Sequence, residues 1–286
     1  MYMYDQQHGG GHKYRCLALA NKARRLGHTV NIISNDTGAN FMLQDINNAW
    51  FVNKAIADTK CDWLIVDLES QPPNYINDVK CLVCNLNGPG WFGDNGRDSD
   101  QSWADLVWVQ DTPDKVIIRQ TVLDTKWQNG TYNFVFGGSA DPLHLLQYYD
   151  KHCMAAAYLI STPLQIKYTP LHEQHKYIVS SGDQILRYMQ NAQMAITHMG
   201  ITNFELAAIS NGCIPQYIFS RTKGHLYYAK NLEKFGYALA YPDIELPSSP
   251  VDFMDFINTK YTTGGPPIDG KAVDRLLKEL YAATNR

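Results

Sequence analysis

The chain has 286 residues, 45% of them hydrophobic and 19% charged, with a net charge of −3. That length can bury one large core or two ordinary ones, and the balance excludes a disordered chain. No global basic field draws it to nucleic acid or anionic lipid, and no apolar run approaches the roughly 20 residues that span a bilayer.

In chain order, short apolar runs alternate with helical periods, the pattern of parallel α/β units. Residues 1–4 read as a strand. Residues 14–26 read as a helix, with Cys16, Leu19, Ala20 and Ala23 on one face and Gly27 closing it. Strands follow at 29–34, 63–66, 81–85 and 106–110; the second of these, WLIV, is apolar throughout, as a strand covered on both faces should be. Residues 87–100 form a long Gly- and Asp-rich loop carrying Trp91 and Phe92. The polar stretch 126–130 reads as a linker, dividing the chain into domains 1–128 and 129–286. The second half continues with a strand at 133–136, a helix capped by Asp141-Pro142, strands at 155–160, 194–197 and 214–219, and helices at 182–190, 204–210 and 225–235. A short strand at 238–240 follows, and a helix at 270–283 has apolar residues at 273, 276, 277 and 280.

The six cysteines are scattered, mostly in apolar stretches, and the N-terminus lacks the pattern of a signal peptide, so a reducing cytoplasm is expected. Cys81 and Cys84 have C-x-x-C spacing but no second pair to complete a zinc site, which favours buried thiols over a metal. No metal and no cofactor is expected.

Three glycine-bearing loops fall where a strand hands over to a helix, the place where parallel sheets gather ligands. HGGGH at 8–12 places Gly9, Gly10 and Gly11 directly before His12. It reads either as a tight turn or as a site in which His12 serves as a general base. FGGS supplies Gly137, Gly138 and Ser139. The third loop supplies Gly200, Thr202 and Asn203 to a phosphate and Glu205 to a ribose, although Thr202 and Glu205 also have the spacing of a capping box. Asp67 and Glu69, just after WLIV, could orient a base, touch a sugar or cap the structure. The Gly9/Gly11 pair is not a dinucleotide fingerprint, and neither a P-loop nor a nucleophile elbow occurs.

Taken together, these blocks resemble a known superfamily. GGGHKYRCLALANKARRLGHTVNIIS resembles the opening of the nucleotide-sugar hydrolase of pseudaminic-acid biosynthesis, whose pattern is G-x-G-H-x-x-R-C, and NFVFGGSADPLHLL resembles the start of its second domain. AITHMGITNFELAAISNGCIPQ, followed by AKNLEKFGYALAY, is similar to the donor-binding segment of the lipid-linked N-acetylglucosaminyltransferase of peptidoglycan synthesis. The resemblance implies the α/β GT-B architecture: two Rossmann-like domains facing across a cleft, with a nucleotide diphosphate-sugar, expected to be a UDP-sugar, held by the second.

By position, His12 matches the catalytic histidine; Gly200, Thr202 and Glu205 match phosphate- and ribose-handling positions; and Asn231 matches a polar residue near the donor. The chain departs from the hydrolase at Leu68-Glu69 and at residues 84–90. The expected activity is therefore inverting, metal-independent transfer from the nucleotide diphosphate-sugar to an acceptor hydroxyl, with His12 or Glu69 as base. The alternatives are hydrolysis with water as acceptor and a binding protein with a dead site. The acceptor is open between a small molecule, a glycan and a modified DNA base, the last drawing on basic residues between Lys13 and Arg25 and on Arg119.

Overall fold

The computed structural model describes residues 2–4, 10–34, 42–43, 54, 57–58, 60–67, 79–86, 102–137, 142–161, 167–180, 182–242 and 265–285. They form two units. The first comprises Met1–Arg119 with Asp269–Arg286, and the second Gln120–Ile268.

The first unit holds six strands: β1 (Tyr2–Tyr4), β2 (Ile32–Ser34), β3 (Met42–Leu43), β4 (Trp63–Asp67), β5 (Leu82–Asn85) and β6 (Leu106–Val107). They pair in parallel in the order β3-β2-β1-β4-β5-β6. Parallel strands are covered by helices on both faces, which is why β4 is buried along Leu64, Ile65, Val66 and Asp67. Helix α1 (Gly10–Arg25) buries Cys16, Leu19, Ala20 and Ala23, as its periodicity predicts. It ends in a Schellman turn: Gly27 has φ +91°, its N–H donates to Arg24 O, and the N–H of His28 donates to Ala23 O.

The second unit repeats the arrangement. Its strands are β7 (Tyr132–Phe136), β8 (Ala157–Ser161), β9 (His175–Val179), β10 (Ala192–His198), β11 (Gln216–Ser220) and β12 (Leu239–Pro242), all parallel, in the order β12-β11-β10-β7-β8-β9. Its helices are α2 (Gln120–Leu123), α3 (Pro142–His152), α4 (Leu186–Met189), α5 (Ile201–Ser210) and α6 (Lys223–Lys234). Renumbered within its unit, this strand order is the same 3-2-1-4-5-6 as in the first. Both sheets are thus doubly wound, each with a topological switch point between its two central strands.

Two boundary expectations are corrected. The units divide after Arg119, not at 128, because the polar stretch 126–130 is packed rather than free. Trp127 Nε1 donates to Ala192 O at 2.8 Å, Gln128 N donates to Gln190 O at 2.7 Å, and a Cβ on Gly130 would lie 2.0 Å from Asn191 O. The C-terminal helix α7 (Ala272–Thr284) belongs to the first unit. Its Val273, Leu276, Leu277 and Leu280 share a core with Leu19, Ala23, Ile65 and Cys84, and Lys22 pairs with Asp274 at 3.0 Å. Among the described residues no helix is long and apolar enough to cross a membrane.

Candidate functional site

At the switch point of the first sheet, β1 and β4 end side by side, Tyr4 opposite Asp67. The chain leaving β1 enters α1 within the glycine run, so His12 is the third helical residue and not part of a free turn. Arg15, one turn on, shares its face. Both side chains converge on Asp67, which is fully buried; His12 and Arg15 are nearly so. His12 Nδ1 lies 2.7 Å from Asp67 Oδ1. Arg15 donates from Nη2 to the same oxygen at 2.7 Å and from Nε to Oδ2 at 3.1 Å. The Cys16 thiol adds a long contact to Oδ2, at 3.8 Å.

Burial alone would raise the Asp67 carboxyl, but the Arg15 charge and then His12 outweigh it and hold it well below the usual carboxylate range. Burial and the neighbouring Asp67 charge push the Cys16 thiol well up, so it remains a neutral donor. An ionised carboxylate can only accept, so the short contact assigns the ring proton to His12 Nδ1 and leaves Nε2 as the basic nitrogen. Arg15 Nη2 is also 3.1 Å from Nδ1; with the proton there, the two are donors converging on one oxygen. A histidine oriented by a buried carboxylate has the local logic of a general base.

In the sequence His12 stands out by its glycines, whereas Asp67 is on a par with Glu69 and Arg15 is one of a basic group. Glu69 and Gly9 lie outside the described residues, Gly10 opens α1, and Gly11 sits half-buried in its first turn. The basic group itself disperses. Arg15 is spent on Asp67, Arg24 donates to Val30 O, Lys22 pairs with Asp274, and the buried Arg119 lies 4.6 Å over the Tyr14 ring.

In the second unit the corresponding strands are β7 and β10. Gly137, buried, follows β7 and donates to Ile160 O at 3.3 Å; Gly138 and Ser139 lie outside the described residues. After β10, Gly200 is the extended N-cap of α5, and a Cβ built there would meet nothing within 4 Å. Asn203, three residues on, makes the cap: its Oδ1 accepts from Gly200 N at 2.9 Å. The expected capping box of Thr202 with Glu205 is therefore not the one that forms, because the helix begins two residues earlier than that box requires.

Asn203 is fully buried, and its Nδ2 donates to Thr197 Oγ1 and to Gln216 Oε1, tying α5 to β10 and β11. Its side chain is a structural hub rather than a ligand contact. The first-turn N–H groups that helix geometry leaves for an outside acceptor are those of Ile201 and Thr202. Thr202 and Glu205 are buried. At the end of β11 Ser220 is buried on the face that carries Gln216, and its hydroxyl meets no partner among the described residues. Asn231 lies eight residues along α6 from Lys223, about 12 Å from the helix N-terminus.

Replacing Asn203 with alanine is expected to cost about 2–3 kcal/mol, because it strands the Gly200 N–H, Thr197 and Gln216 without their partner. Denaturant unfolding measures this; a loss below about 0.5 kcal/mol would contradict the hub assignment.

No protein-family profile matches the sequence, and no curated protein is closely similar to it. The fold, in contrast, matches solved structures along the whole chain. UDP-GlcNAc 2-epimerase from Methanocaldococcus jannaschii is 11% identical, with 99% of this chain and 100% of that one covered at a TM-score of 0.58. The spinosyn forosaminyltransferase SpnP is 13% identical, with coverage of 98% and 99% and a TM-score of 0.60. MurG of Acinetobacter baumannii is 14% identical, with coverage of 98% and 99% and a TM-score of 0.55. At these identities the likeness is one of fold. The chain has the GT-B fold, built from two doubly wound Rossmann-like units.

Proposed function

We propose that the protein transfers a sugar from a nucleotide diphosphate-sugar to an acceptor hydroxyl. The observation that carries this reading is His12 held by Asp67 and Arg15 at the switch point of the first sheet, with its basic nitrogen at Nε2. Nε2 takes the acceptor proton as the hydroxyl oxygen attacks the anomeric carbon. The bond to the diphosphate oxygen breaks, the configuration inverts, and the nucleoside diphosphate leaves with its electron pair. In the second unit the first turn of α5 is a candidate for binding a diphosphate through backbone N–H groups, with Gly200 leaving room for close approach. Glu205 is the candidate for the ribose. The structural neighbours support the substrate class: one is named for UDP-GlcNAc and another for transfer of forosamine.

Hydrolysis, with water as acceptor, is the second reading. It is favoured by the first-unit motif, since His12, Arg15 and Cys16, the residues matching H-x-x-R-C, all contact Asp67. A panel of nucleotide diphosphate-sugars incubated without acceptor separates the two. Transfer predicts slow leakage of nucleoside diphosphate, whereas rapid stoichiometric release of free sugar would assign the hydrolase. A panel in which no nucleotide raises the melting temperature would overturn both.

A further inference from the structure

The first unit carries a second reactive feature at the end of its sheet opposite Asp67. Cys61 lies two residues before β4, and Cys81 directly precedes the neighbouring β5. The strand starts are locked together: Trp63 pairs with Leu82, whose N–H donates to Asp62 O at 3.2 Å. The Cys61 thiol donates to Trp63 O at 2.6 Å, and both thiols are reduced and partly accessible. Continuing the register sets Asp62 opposite Cys81, so Cys61 is its diagonal neighbour, about 6 Å away by strand spacing and rise and inside the ~4.4–6.8 Å Cα separation that a disulfide spans. Cys61 also lines a cavity of about 440 Å³ walled by Gly27, His28, Trp63 and Tyr281, large enough to admit a small molecule.

We infer that Cys61 and Cys81 form a redox-responsive dithiol, with Cys61 attacking a low-molecular-weight disulfide that enters from this cavity. The Cys61 thiolate displaces one half of R–S–S–R, giving Cys61–S–S–R and R–SH. Cys81 then gives up its proton and attacks the Cys61 sulfur, forming the Cys61–Cys81 bond and releasing the second R–SH. Two protein thiols are oxidised, and one small disulfide is reduced to two thiols. The neighbouring Cys81 thiol pulls Cys61 down to about 6 against its burial, and their interaction pushes Cys81 far up, which fits the order of attack.

The remaining cysteines supply internal controls: Cys16, Cys84 and Cys153 are buried, and Cys213 is exposed. The full chain is incubated with oxidised glutathione, quenched and mapped without reduction by mass spectrometry. The expected result is a Cys61–Cys81 cross-linked peptide that forms in the folded protein and disappears with dithiothreitol. Cys81→Ser should stop with glutathione on Cys61, and Cys61→Ser should leave Cys81 unmodified. Glutathione on Cys213 while Cys61 stays reduced, or a cross-link formed only in denaturant, would overturn the proposal. Should a serine variant fail to fold, the wild-type time course decides by itself.

Discussion

Asp67→Asn is expected to lower turnover by about a thousandfold or more while leaving the KM for the donor little changed. Arg15 has two donors aimed at this side chain and would claim the one amide oxygen. The amide nitrogen then faces His12 Nδ1, which must accept instead of donate, and the ring proton moves to Nε2, where the base should be vacant. The volume is conserved, so circular dichroism should match the wild type and the loss should fall on kcat. Asp67→Glu, which keeps an acceptor, should recover part of the rate. A variant within about tenfold of wild type would show that His12 does not depend on its carboxylate.

Arg15→Met carries the largest expected effect on stability, about 3 kcal/mol at neutral pH, because it leaves the Asp67 charge buried with only His12 beside it. The effect also has a pH signature. The folded-state pKa of Asp67 lies below its unfolded value, so its contribution is fully present above about pH 4 and is lost as pH falls toward the folded value. Without Arg15 that depression shrinks. The unfolding midpoints of wild type and variant should therefore stand apart at pH 7 and converge below about pH 4. A gap that stays constant down to pH 3 would remove Arg15 as the group holding Asp67 ionised.

Much of this architecture is legible from periodicity. WLIV reads as a strand covered on both faces, and the apolar face of α1 reads residue by residue. The strand β9 does not, because HKYIV is an edge strand with only His175 fully buried and no apolar alternation to reveal it. Nor can the apolar stripe of α7 say which core will take it; only the packing against Leu19 and Ile65 does. In the site, His12 is marked by its glycines. Asp67 and Arg15 acquire their roles from strand register and helix pitch, which bring residues 52 positions apart within 2.7 Å. Asn203 misleads for a related reason: a helix-start asparagine is equally suited to bind a ligand or to cap its own helix, and burial decides.

The proposed function rests on His12 removing a proton in sugar transfer from a nucleotide diphosphate-sugar. The most direct test is nucleoside diphosphate release by wild type and His12→Ala, measured on the donor that gives the largest melting-temperature rise, with acceptor present. The variant should still bind that donor, with an undiminished thermal shift, while turnover falls by about a hundredfold or more. Turnover close to wild type in a variant that binds the donor normally would contradict it.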